Sequence, residues 1–244
     1  MAHPPLRIVL FSEINSLFGY NFLLELTRHD TLKVVGVVTQ PDTKLCEYYR
    51  AEPVTVNIKT EARRRDIPVL QPERINKAVR SLELFDADFF LVANYQQILP
   101  REVFELPTRS TLNFHPSLLP AYAGLWPFFW MARNHETKSG VSVIAVNEII
   151  DAGDIVDQIP IKLHGNETED QLRAIHFTAS LTLLKRVIDR LPTLRTEEFQ
   201  KQDLSKRSYY GKKDYLLARR HEPKATIEPS STMPPDSIQK SIAV

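Results

Sequence analysis

Asn113, His115 and Asp151 are the residues of this chain whose types and spacing could do chemistry together. They stand in Asn113-Phe114-His115-Pro116-Ser117-Leu118-Leu119-Pro120 and, further on, in Asp151-Ala152-Gly153-Asp154. A carboxamide, an imidazole and a carboxylate brought to one place can help pass an acyl group between two amines. Attack on the carbonyl builds an oxyanion, and donors fixed in advance must meet it. Asn113 offers an amide N–H, and His115 offers a ring N–H when protonated. The attacking amine must also shed a proton, which Asp151 or His115 can relay directly or through water. Singly these residues are ordinary. An Asn at a strand end commonly makes a turn, a His is more often a satisfied polar group than a catalyst, and Asp-Ala-Gly-Asp reads as a turn. Their joint placement carries the reading.

Asn113 and His115 are two apart in an expected strand, Arg109 to Phe114, so their side chains share a face, with His115 at the carboxyl end. Pro116 restricts His115 to extended geometry, so the chain leaves the strand there. Leu6–Phe11, Val34–Val38 and Asp88–Ala93 read as further strands, buried on both faces, and 68–70 as a short strand. Segments 16–28, 58–65 and 75–85 read as helices between them, with a loop over 43–58. Strands alternating with helices predict an α/β fold with a Rossmann-like, doubly wound, mostly parallel sheet. In such a sheet ligands bind beyond the carboxyl ends of the strands. Val141–Val146 and Ile155–Ile161 are expected at the far edge, which sets Asp151, in the loop between them, beside His115. Gly153 is read as the residue that lets this loop turn tightly. Phe128–Asn134 is an expected helix. Thr168 with Gln171 makes a capping box for a long amphipathic helix.

Composition bounds the rest. The chain has 244 residues, 43% hydrophobic, 25% charged, with formal net charge +1. That is ordinary for a soluble domain and makes no electrostatic case for nucleic acid or an anionic membrane. Cys46 is the only cysteine, so an intramolecular disulfide and a cysteine-rich zinc site are excluded. The histidines show no ligand-like spacing, so no metal is expected. No apolar run reaches the roughly 20 residues of a membrane span, and the N-terminal residues have no signal-peptide core. A cytoplasmic protein is expected. The domain reading is a catalytic unit over 1–195, a short C-terminal extension over 196–220 and a disordered tail over 221–244, where Pro223, Pro229, Pro234 and Pro235 fall.

The Asn113-x-His115-Pro-Ser-Leu-Leu-Pro120 and Ile150-Asp151-Ala-Gly-Asp154 segments resemble the folate-dependent formyltransferase family. Thr39-Gln40-Pro41-Asp42, Pro68-Val69-Leu70-Gln71-Pro72 and Ile98-Leu99-Pro100 extend the likeness over about residues 6 to 190. The resemblance implies a Rossmann-like fold, N10-formyltetrahydrofolate as formyl donor and an amine as acceptor. It implies that Asn113 and His115 hold the oxyanion while Asp151 positions His115 and relays protons. It implies that Gln97, Ile98, Leu99 and Glu148, Ile149, Ile150 wrap the pterin. Ile98 and Leu99 are also read as ordinary core residues.

Departures from the family narrow the acceptor. Ser12-Glu13-Ile14-Asn15-Ser16 replaces the glycine-rich phosphate-binding turn and sets an acid where phosphate would approach, which counts against a phosphoribosyl acceptor. The chain after the long helix is too short for the barrel that methionyl-tRNA enzymes carry, so nucleic acid is disfavoured. Residues 202–214 resemble the element that follows the catalytic domain in amino-sugar formyltransferases. A nucleotide-linked amino sugar is therefore the leading small-molecule acceptor, with Ser12, Tyr122 and Trp126 as candidate contacts. An amino-acid-derived amine, methionyl-tRNA, or hydrolysis of the donor are the alternatives, and a non-catalytic folate- or nucleotide-binding module ranks last. Relatives that act on sugars are often dimers, so a homodimer is among the expectations.

Overall fold

A computed structural model describes residues 4–46 and 55–220. Seven strands form the central sheet in the order β3-β2-β1-β4-β5-β7-β8. These are β1 Leu6–Phe11, β2 Leu32–Val38, β3 Val69–Leu70, β4 Phe89–Val92, β5 Ser110–His115, β7 Lys138–Ala145 and β8 Ile155–Lys162. The first five run parallel; β7 runs antiparallel to both of its neighbours, β5 and β8, so β8 has the direction of the first five. The mostly parallel, doubly wound sheet expected from the sequence is therefore the fold. The chain winds outward from β1 through β2 to β3 and returns to β4 on the other side of β1. In sheets of this kind ligands bind where the strand order reverses, here at the carboxyl ends of β1 and β4.

Helices α1 (Leu17–Leu26), α2 (Ile58–Arg64), α5 (Pro127–Arg133) and α6 (Glu169–Arg190) cover one face. There they bury Leu10, Leu91, Leu112 and Phe114 of the sheet. Helices α3 (Val79–Glu83) and α4 (Arg101–Phe104) cover the other, over Val9, Phe11, Phe90 and Val92. Strands dry on both faces must be apolar at every position, which is why they stand out as unbroken runs. Caps fix the helix starts. Ser16 accepts from Gly19 N at 3.0 Å, and Thr168 and Gln171 form the expected capping box.

One expectation needs revision. Segment 75–85 is not one helix. A 3-10 turn (Ile75–Lys77) precedes α3, and Ala78 (φ −103°, ψ 7°) breaks the helical path between them. Tyr209–Tyr210 is a strand, β9, paired in parallel with β6 (Ala123–Gly124). Its partner lies far back in the chain, so no local pattern could announce it. Helix α7 (Lys212–Arg220) then lays Tyr215 flat on Trp126, with ring centroids 4.1 Å apart. The expected loop over 43–58 lies partly outside the described residues, and the expected tail over 221–244 wholly so.

Candidate active site

The register of the sheet places the three candidate residues. Phe11 pairs with Val92 and Val92 with Asn113, so these share one face. Two residues further along the parallel strands and their extensions come Glu13, Asn94 and His115. The ladder continues there, with Glu13 N donating to Asn94 O at 2.8 Å. Across the antiparallel pair, His115 faces Ser142 of β7. The loop from β7 to β8 then carries Asp151 back over the end of β5.

The side chains meet there. Asn113 Nδ2 donates to Asp151 Oδ1 at 3.2 Å. His115 Nδ1 lies 3.5 Å from Asp151 Oδ2, and Gly124 N donates to the same oxygen at 2.8 Å. The other ring nitrogen, Nε2, is 2.9 Å from the Tyr122 carbonyl. His115 is buried and Asn113 half-buried. The second Asn113 N–H thus remains to be offered outward, while both imidazole nitrogens face acceptors. Asp151 holds its place in a left-handed conformation, φ 53°, a region that Asn and Asp enter more readily than other non-glycine residues.

Gly153 serves this loop differently from the expectation. Its φ is not positive; a Cβ there would lie 1.6 Å from the Ala145 carbonyl oxygen. The requirement is close approach of the loop to β7. Gly124 does need its freedom: its φ is 94°, and a Cβ there would lie 2.3 Å from the Tyr210 carbonyl oxygen.

The segments read as pterin walls flank the site. Ile98 is 70% exposed, Ile149 54% and Ile150 40%, an apolar group left open to solvent beside polar machinery. Leu99 is buried in the core of that face. Gln97 turns its side chain away from the walls, accepting from Ile75 N at 2.8 Å and donating to Pro72 O at 3.2 Å. Glu148 pairs with Arg101, so the two walls are tied to each other. Among the candidate acceptor contacts, Ser12 is wholly buried. Tyr122 stacks on Tyr210 at 5.7 Å and donates to Glu136 at 2.8 Å. Burial, aided by Glu136, pushes its hydroxyl up to about 12. Trp126 is covered by Tyr215. The structure gathers Asn113, His115 and Asp151; it directs the aromatic faces of Tyr122 and Trp126 into packing with the C-terminal segment.

Glu13, the acid noted in the first loop, is buried. Its Oε1 accepts from Gln96 N at 2.8 Å and Gln40 Nε2 at 3.0 Å, and its Oε2 has no partner. Burial raises its carboxyl above the usual range despite those two bonds. Nearby, burial raises the Tyr95 hydroxyl as well. Among the described residues no group of three or more His, Cys, Asp or Glu is placed to hold a metal, and no helix is long and apolar enough to cross a membrane.

In the sequence Gln202 and Arg207 stand only as part of the 202–214 resemblance, with no role given to either. Gln202 Nε2 donates to Asp151 O at 3.1 Å and Gly153 O at 2.7 Å, and Arg207 Nη2 donates to Ile150 O at 2.7 Å. Neither sits in a periodic pattern, and their partners are backbone atoms some fifty residues away, which no side-chain pattern reveals.

The formyl transferase family model matches residues 6–188. The methionyl-tRNA formyltransferase of Thermotoga maritima is 35% identical over 193 residues, 77% of this chain and 61% of that protein. The Mycoplasmopsis pulmonis enzyme of the same name is 37% identical over 140 residues, 57% of this chain and 48% of its own. The chain therefore spans less than two thirds of the length of these relatives. Among solved structures, an N-formyltransferase from Helicobacter canadensis, in complex with folinic acid and dTDP-3-aminofucose, superposes with TM-score 0.66 at 20% identity, over 86% of this chain and 72% of that one. A formyltetrahydrofolate deformylase from Pseudomonas syringae gives 0.66 at 18% identity, over 82% and 66%. At such identities the likeness is one of fold.

Proposed function

This chain belongs to the formyl transferase family, and from that premise we propose that it moves a formyl group from N10-formyltetrahydrofolate to a primary amine of a small metabolite. A nucleotide-linked amino sugar is the acceptor class we place first. The observation that carries the reading is the convergence of Asn113, His115 and Asp151 at the carboxyl end of β5, beside the exposed Ile98, Ile149 and Ile150.

The reduced pteridine supplies a formyl carbon on a nitrogen that can leave once protonated. The apolar walls suit its ring, with their backbone groups as the polar contacts. Asn113, with one N–H spent on Asp151, directs the other at the oxygen that gains charge when the amine attacks. His115 adds a second donor when its ring turns from the Tyr122 carbonyl. Asp151 orients both and accepts the proton the amine loses, directly or through water. Attack would form the carbon–amine bond first and leave the oxyanion; its collapse would break the carbon–N10 bond, and the proton shed by the amine would end on N10. We assign residues 1–195 to this catalytic unit and 196–220 to its extension.

The acceptor choice rests on residues 202–214, which continue past the catalytic unit as a short strip, and on the sugar enzyme among the structural neighbours. Methionyl-tRNA is the second reading, favoured by the names of the curated relatives. The test is purified full-length chain with the donor and three acceptor conditions: dTDP-amino sugars, methionyl-tRNA, and none. N-formylated sugar is the expected product. Formyl-methionyl-tRNA alone would move the assignment to the second reading. Formate released equally fast with no acceptor would make the protein a hydrolase.

A further inference from the structure

We propose that residues 200–210 form a clamp that sets the catalytic geometry, with Gln202 and Arg207 as positioning residues for Asp151. This rests on the role given to Asp151 under Proposed function. The two side chains donate to three carbonyls of one short loop, those of residues 150, 151 and 153. These flank the carboxylate that meets Asn113 and His115, on a residue whose backbone is left-handed. An aspartate can enter that conformation but does not hold it by itself to the exclusion of the right-handed and extended regions. Bonds on both sides of it remove the freedom to leave it.

The same segment holds the opposite side of the imidazole. Ser208 Oγ accepts from Tyr122 N at 2.8 Å, and Ser208 O accepts from Ala123 N at 2.9 Å. Tyr210 O accepts from Leu125 N at 2.8 Å. This fixes the 122–125 backbone, whose Tyr122 carbonyl faces His115 Nε2 and whose Gly124 N–H holds Asp151 Oδ2. Both partners of the His115 ring are thus secured by one strip. Packing alone would be met by β9 pairing and the Trp126–Tyr215 stack. The Gln202 and Arg207 bonds add nothing to those contacts and fall on the loop of the acid. Arg207 is itself braced by stacking over Tyr209, 4.7 Å from the ring centroid.

The experiment uses full-length protein carrying Gln202→Glu, a near-isosteric change that turns a donor into an acceptor against two carbonyls, and separately Gln202→Ala with Arg207→Ala. Formyl transfer is measured with the acceptor found above, each variant with and without Asp151→Asn. Hydrogen exchange of the 146–154 peptide is followed in parallel. We expect kcat to fall about 10–100-fold, as when groups orienting catalytic ligands are lost, with KM for the donor within about twofold. In the Asp151→Asn background the same changes should alter kcat less than about twofold, and the peptide should exchange faster. Wild-type kcat in Gln202→Glu, or an equal loss in both backgrounds, overturns the proposal. If the unmodified chain neither transfers nor releases formate, the functional reading fails, and unchanged exchange of that peptide then overturns the clamp on its own. Gln202→Glu keeps the test intact should the double variant not fold.

Discussion

Replacing Gly153 by Ala tests the site through its tightest packing contact. The new methyl would lie 1.6 Å from the Ala145 carbonyl oxygen, where ordinary contact begins near 3.4 Å, so loop and strand must part by about 1.8 Å. The Ala145 N to Asp154 O bond at 2.9 Å lies in the path of that movement. Overpacking of this kind costs about 1–3 kcal/mol. For a chain of this size each kcal/mol lowers Tm by about 2–4 °C, so the transition should fall by roughly 2–12 °C. The larger effect is on chemistry. Asp151 sits two residues from the forced shift, and its contacts at 2.8 Å to Gly124 and 3.5 Å to His115 cannot both survive it. A misplacement of about 1 Å can cost about 10²-fold in rate, so kcat should fall at least that far while far-UV circular dichroism stays native. Donor consumption and product formation by mass spectrometry, with a thermal scan of the same sample, give both numbers. Wild-type kcat with wild-type Tm would refute the argument, because it would mean that the loop does not lie against β7.

Asp151→Asn keeps an acceptor for Gly124 N and removes the charge; single-turnover formyl transfer should slow by about 10²–10⁴-fold without loss of the folded signal. His176, buried against Ser139 and Leu172, is pushed down to about 4 by burial. Its folded value lies below the unfolded 6.5, so the unfolded chain binds the proton more readily and stability is lost as pH falls from about 6.5 through about 4. At about 1.36 kcal/mol per pH unit across that interval, the loss is on the order of 3 kcal/mol; urea titrations at neutral and acid pH should show it in wild type and lack it in His176→Gln, and parallel profiles would count against it. Glu13 has the opposite sign. Its carboxyl is raised, so its contribution is present at low pH and is lost as pH rises above the ordinary 4.5. Glu13→Gln keeps an acceptor for Gln96 N and should gain stability relative to wild type on going from acid to neutral pH, and a constant difference across that range would rule this out.

The legible part of this protein is the part whose residues answer to neighbours in sequence or to dryness. Buried parallel strands must be apolar throughout, so β1, β2 and β4 can be placed from composition alone. Pro116 marks where β5 ends, and Thr168 with Gln171 marks where α6 begins. Given the strand ends, parallel register does the rest and puts Asn113 and His115 on one face. Gly153 is necessary for a reason other than the one its sequence context suggests. The sequence offers a glycine, but only coordinates distinguish a turn that needs positive φ from a backbone that must be approached closely. The aromatic character of Tyr122 and Trp126 points to a pocket. Their faces are instead met by Tyr210 and Tyr215, residues of the extension whose partners local patterning cannot name.

That failure and the clamp have one cause. The extension packs through backbone pairing, as β9 on β6, and through side chains aimed at carbonyls, as Gln202 on residues 151 and 153. Carbonyls are the same at every position, so nothing in the residue types of the 150–153 loop betrays that it is held. Side-chain triads announce themselves; the backbone bonds that keep a triad in register do not. Asp151 shows both sides. Its type and its spacing from Gly153 and Asp154 suggest chemistry, while the carbonyls of its loop are met by Gln202 and Arg207. A chain cut before residue 200 would retain Asn113, His115 and Asp151 and the whole central sheet, yet would lose the bonds that restrain the loop of the acid. Its expected behaviour is a folded sheet with much weaker turnover, and that separation of folding from rate is what a positioning role requires.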